Sequence, residues 1–126
     1  MKFDNKKPIF IQIADIVCEK ILKSEFKEND KIPSIRELAS ELEVNPNTVV
    51  KAYNYLQEFN IIENKRGLGY FVSTNGFEHT LNYLKDEFFN QELPIFFRKV
   101  CLLKIDINEL LNKYEIFLKT LNDYEN

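Results

Sequence analysis

Tryptophan is absent, and the chain has one histidine, two cysteines and three glycines among its 126 residues. Each scarcity removes a class of chemistry. Cys18 and Cys101 are far apart and form no C-x-x-C pair, so tetrahedral N/S zinc ligation lacks its ligands. Both cysteines read as small apolar filler. His79 has no nucleophile at motif spacing. Gly67-Leu68-Gly69 is not followed by the helix and lysine of a phosphate-cradling loop. No apolar run approaches the roughly 18 residues of a membrane span. The start, MKFDNKKPIFIQ, has no sustained apolar stretch of the signal-peptide kind. Carboxylate pairs such as Asp86-Glu87 lie in charged stretches, as on a solvated face. No catalytic constellation remains, so an enzyme is not expected, nor is a cofactor, a metal or a membrane. A reducing cytoplasm suits this composition.

An excess of positive charge is also missing. The net charge is −3, but it is uneven. Residues 1–74 hold eleven cations and eleven anions; residues 75–126 hold six and nine. A neutral first part can still bind nucleic acid if its cations share one face.

Apolar residues make up 44% of the chain, with eleven Phe and six Tyr, enough for a packed core. Residues 1–7 read as a frayed polar lead-in. Pro8 opens a helix over about Ile9–Ser24, with Phe10, Ile13, Val17 and Ile21 inward and Ile9 and Ile16 beside them. Lys31-Ile32 allows only a small strand. Ser34-Ile-Arg-Glu37 is a capping box, and its helix runs to about Leu42 with Ile35, Leu38, Ala39 and Leu42 inward. After a short turn, Asn45 can cap a second helix with Pro46 at its first position. Val49, Ala52, Tyr53 and Leu56 mark the buried face of that helix. Two helices joined by about three residues make a helix-turn-helix. Asn47, Thr48 and Lys51 are then polar groups near the start of a reading helix, where base edges are met. Asn45 is equally a cap or a contact. Tyr53 and Tyr55 read as packing rather than as stacking on bases.

Asn60 suits a left-handed helix stop. Residues 61–66 and 70–72 read as two strands joined through Gly67-Leu68-Gly69, a wing with Lys65 and Arg66 at its tip, within reach of phosphate or the minor groove. From Gly76 the pattern changes. Phe77, Leu81, Leu84 and Phe88 repeat at four, three and four; Pro94 interrupts; Ile95, Phe96, Val100 and Leu103 continue. Asp106 can cap a last helix carrying Ile107, Leu110, Tyr114, Phe117 and Leu121. This heptad-like seam is too short to bury its own apolar groups. It either folds back on the first part or meets a second copy, and the second copy is favoured. Phe88, Phe89, Phe96 and Phe97 could instead line a small-molecule pocket, but interface core is the preferred role.

Residues 31–72, KIPSIRELASELEVNPNTVVKAYNYLQEFNIIENKRGLGYFV, resemble the winged-helix domain of GntR-family transcription regulators. Three linked phrases carry the likeness: Ile32-Pro-Ser-x-Arg-x-Leu-Ala, Val-Asn-Pro-Asn-Thr-Val-Val-Lys-Ala-Tyr and Arg-Gly-x-Gly-x-Phe-Val. The short remainder resembles YtrA-type members, in which a small helical tail forms the dimer. The resemblance implies that Arg36, from the first helix of the motif, contacts DNA. It implies the same for Asn45, Asn47, Thr48 and Lys51 of the reading helix and for Arg66 and Gly67 of the wing. Glu43 and Asn60 stand where glycine is common, so the turn at Glu43 is expected to differ slightly. Leu68 replaces a small or basic wing residue, and Ile35 a common acidic one.

The expectation is a mainly α chain with a small β wing: a winged helix-turn-helix over 1–74 and a helical dimerisation segment over 75–126. Its function would be a cytoplasmic homodimeric DNA-binding regulator, a repressor at a pseudo-palindromic operator. The rival readings are a winged-helix protein-interaction module that never touches DNA, and a regulator with an effector between its tail helices. The identity of any effector is not in the sequence.

Overall fold

The computed structural model describes Phe3 and residues 7–125, so most of the lead-in read as frayed lies outside the described residues. The helices and strands are α1 (Ile9–Leu22), α2 (Ile35–Leu42), α3 (Pro46–Glu58), β1 (Ile62–Lys65), β2 (Gly69–Val72) and α4 (Gly76–Glu87). A π-helical turn (Phe88–Glu92), α5 (Leu93–Leu102) and α6 (Ile107–Glu125) follow. The chain divides into two compact units, residues 1–85 and 86–126.

In the first unit α3 lies against α1, α2 and β1. Ile13, Val17, Ile21, Leu38, Leu42, Val49, Leu56, Ile61 and Val72 form one buried cluster. Ala14 and Cys18 are equally buried, so α1 turns a broader stripe inward than its large residues suggest. Ile9, expected beside that stripe, is exposed. Cys18 is filler as expected, but Cys101 is exposed. Tyr53 is fully buried, and its hydroxyl donates to the Pro33 carbonyl at 2.7 Å. Its ring meets Tyr70 edge-on at 4.8 Å. Burial raises the Tyr53 phenol well above its ordinary pKa. This one side chain ties α3 to the entry of α2 and to the hairpin.

With so few glycines, the helices must stop on other residues. Ser24, Glu43, Asn60 and Lys104 all take positive φ, between 55° and 62°. Each closes a Schellman pair: Glu43 N–H donates to Ser40 O and Val44 N–H to Ala39 O, and Asn60 N–H donates to Gln57 O and Ile61 N–H to Leu56 O. This is why α1 ends at Leu22 rather than at Ser24. A side chain in the left-handed region costs about 1–2 kcal/mol, and glycine removes that cost while adding about 0.4–1 kcal/mol of unfolded-state entropy. Glu43→Gly is therefore expected to stabilise the first unit by about 0.5–1 kcal/mol and raise its melting temperature by about 2–8 °C. An unchanged or lower midpoint in a circular-dichroism melt would count against a strained turn.

The β1–β2 hairpin pairs Ile62 with Val72 and Lys65 with Gly69. Lys31 adds an isolated antiparallel bridge to Phe71, and Ile32 N–H donates to Tyr70 O at 2.9 Å. The short strand expected at 31–32 is thus a third edge on β2.

The first unit continues past residue 74, because the start of α4 rests on the core. A Cβ at Gly76 would lie 2.5 Å from Val72 Cγ1 and 3.0 Å from the Ile61 carbonyl, so no side chain fits there. Thr80 is buried and donates to Gly76 O at 2.6 Å. His79 Nδ1 donates to the Asn60 carbonyl at 2.9 Å. Tyr83 joins Tyr55 and Phe59 in an aromatic cluster, with Tyr83 and Tyr55 hydroxyls hydrogen-bonded to each other. Leu84, read from its spacing as part of the seam, packs on this core instead.

In the second unit the backbone does not break at Pro94. Leu93 N–H donates to Phe88 O, five residues back, and Pro94 sits in the first turn of α5. The wider π turn accommodates a ring that lacks an N–H and would clash in an α-helix interior. Asp106 caps α6, accepting from Asn108 N–H at 2.7 Å. Among the described residues, no side chain from Leu81 to Asp123 is buried.

Candidate nucleic-acid interface

The reading helix starts as its sequence dictates. Asn45 has extended backbone, and its Oδ1 accepts the Asn47 N–H at 2.8 Å, with Pro46 next. The Asn45 oxygen is therefore engaged in capping. Asn47 and Lys51 are exposed, and Thr48 is half-buried. Asn47 and Lys51 are four residues apart and share the face opposite Val49, Ala52, Tyr53 and Leu56. The helix N-terminus adds partial positive charge beside them.

Arg36 stands in the first turn of α2, exposed, and makes no ion pair among the described residues. The neighbour that could have held it is occupied elsewhere. Glu37 Oε1 accepts the Ser34 N–H at 3.1 Å, and Glu37 N–H donates to Ser34 Oγ at 3.1 Å, the capping box read from the sequence. The Ser34 N–H, then its hydroxyl, hold the Glu37 carboxyl below the ordinary carboxylate pKa. The Arg36 guanidinium, a planar fork of donors, is left facing solvent.

The wing turns through Arg66, Gly67 and Leu68, all exposed, with Leu68 N–H donating to Lys65 O at 2.8 Å. Gly67 has φ +78°, a conformation its missing Cβ permits. Arg66 and Gly67 are at the tip as expected. Lys65 is not extended from it: its Nζ lies 4.6 Å above the Phe71 ring centroid and 3.7 Å from Glu63 Oε1. The spacing also missed a neighbouring cation, Lys31, because only the strand bridge to Phe71 brings it to the wing. Among the described residues, no group of three His, Cys, Asp or Glu side chains is placed to hold a metal ion, and no helix is long and apolar enough to cross a membrane.

The apolar seam residues lie on α4, the π turn, α5 and α6, and in the turn after α5. Phe77, Phe88, Phe96, Leu103, Ile107, Tyr114, Phe117 and Leu121 are exposed; Leu81 and Leu110 are half-buried.

Comparison with known proteins bears on this arrangement. Residues 11–72 match the family model described as bacterial regulatory proteins, gntR family. YhcF of Bacillus subtilis (strain 168), an uncharacterized HTH-type transcriptional regulator, is 32% identical over 116 residues, 92% of this chain and 94% of that protein. The HTH-type transcriptional repressor YtrA of the same strain is 48% identical over 68 residues, about half of each chain: 54% of this one and 52% of YtrA. The crystal structure of a GntR-family transcriptional regulator from Bacteroides thetaiotaomicron superposes with a TM-score of 0.78 at 38% identity, covering 90% of this chain and 99% of that one. An exposed polar start to α3, an exposed arginine on α2 and a glycine-tipped wing thus stand in a chain that belongs to the GntR family of DNA-binding helix-turn-helix transcription regulators, of the YtrA-like type.

Proposed function

We propose that the protein is a repressor that grips a pseudo-palindromic operator as a homodimer in the cytoplasm. The observation that carries this reading is the tail: a run of large apolar side chains at helical spacing, none of them buried within the chain among the described residues. A second copy offers each apolar face its match, since a two-fold interface is self-complementary. Residues 1–74 are the reading part and residues 75–126 the dimerisation segment, rooted by the start of α4. Arg36, Asn47, Thr48, Lys51, Arg66 and the Gly67 backbone contact DNA, with Lys65 on a phosphate and Asn45 mainly a cap. Two reading helices would enter major grooves about 34–36 Å apart, one helical turn. Repression is the mode because occluding a promoter needs no further surface, and the name of the relative YtrA, a transcriptional repressor, supports it.

The test pairs sedimentation velocity with mobility shift, using the DNA upstream of the protein's own gene at two salt concentrations. A dimer at micromolar concentration that shifts this DNA, more weakly at higher salt, is expected. A monomer that ignores every duplex at low salt would leave the protein-interaction reading in its place.

A further inference from the structure

Beyond the reading helix, the outer face of the hairpin carries cations of its own. Lys31, Phe71 and Glu63 are cross-strand partners, so their side chains share one face, together with Lys65 and Gly69 two residues along. The opposite face holds Ile62 and Val72, both buried, and Tyr70 against Tyr53. Lys31 is thus on the solvent side. Its backbone is pinned from both directions: Val72 N–H donates to Asp30 O at 2.9 Å, and Ile32 N–H to Tyr70 O at 2.9 Å. Its stem crosses the sheet over a glycine. A Cβ at Gly69 would lie 3.0 Å from Lys31 Cε and 3.7 Å from Nζ. The ammonium therefore rests above the residue paired with Lys65, close to the wing turn. Lys65 lies back over Phe71 on the same face.

We propose that Lys31 is a DNA-backbone contact, which with Lys65 forms a phosphate clamp on the outer face of the wing. This rests on the DNA-binding reading of the first unit. Both lysines lie along the sheet rather than project from the turn, so they meet a strand of phosphates and leave base edges to Arg66 and α3. The carboxylates facing them are spoken for: Glu63 lies beside Lys65, and Glu37, which Lys31 feels through space, bonds to the Ser34 N–H. A lysine ammonium is a compact charge suited to a phosphate. The gap at Gly69 gives its stem a fixed track.

A phosphate contact is sequence-independent, so the probe is a mixed-sequence duplex of about 30 base pairs, titrated across a range of salt concentrations. Lys31→Gln should weaken binding at every salt concentration and make the log–log salt slope shallower by about 0.9, with Lys31→Arg restoring the slope. A circular-dichroism melt checks that the exposed substitution leaves the fold intact. If wild type binds with a steep slope and Lys31→Gln keeps the same slope and affinity, the clamp is wrong while the DNA-binding reading stands. If wild type binds no duplex at low salt, both fall.

Discussion

Phe117→Asp combined with Leu121→Asp should leave the protein monomeric at micromolar concentration and weaken operator binding by about 10²–10⁴-fold. Phe117 is 58% exposed and Leu121 38% exposed on α6, four residues apart on one face. In a two-fold interface each substitution counts twice, so four apolar side chains leave the contact. About half of each side chain is left to bury, so at about 1.5–3 kcal/mol for a fully buried Phe or Leu the four together lose roughly 3–6 kcal/mol. A micromolar dimer is held by only about 8 kcal/mol, so removal on that scale dissolves it, before counting repulsion among buried carboxylates. The DNA effect follows from effective concentration: once one reading unit is bound, a tethered second meets its half-site intramolecularly, an advantage of about 10²–10⁴. Analytical ultracentrifugation reads the first effect and titration of an operator duplex the second. The first unit should melt unchanged, because neither residue belongs to its core. A variant that still sediments as a dimer would remove α6 from the interface.

Arg36→Ala should weaken operator binding by roughly 5–150-fold, or about 1–3 kcal/mol, and lower the salt slope by about one unit. The side chain is exposed and makes no ion pair among the described residues, so its removal takes nothing from the folded protein. The capping box beside it uses Ser34 and Glu37 and survives the change. The loss should therefore fall on the complex alone, with an unaltered thermal midpoint. Equal affinity and slope in wild type and variant would strike Arg36 from the contacts.

What the sequence shows by itself is local. Ser34 with Glu37, and Asn45 with Asn47, act within three residues of one another, and the hydrogen bonds form as the side-chain chemistry requires. The inward face of α3 followed from helical spacing, and the hairpin from its glycines. These features need only the geometry of one helix or one turn, so composition and order along the chain suffice.

Contacts between distant residues were decided by packing. Nothing in the spacing of Leu84 separates a seam residue from a core residue; the closeness that Gly76 permits to Val72 and Ile61 seats the root of α4 and sends Leu84 inward. Ala14 and Cys18 are small enough to vanish from a count of large apolar groups, yet both are fully buried. Pro94 reads as a stop, but a widened turn upstream lets the helix resume around it. Lys31 meets the wing only because residues 29–32 run beside β2, some forty positions later in the chain. Sequence order thus settled the helix ends and the polar start of α3, through hydrogen bonds short in chain distance. Which cations line the wing, and where the tail's apolar stripe begins, depended on strands and helices meeting in space.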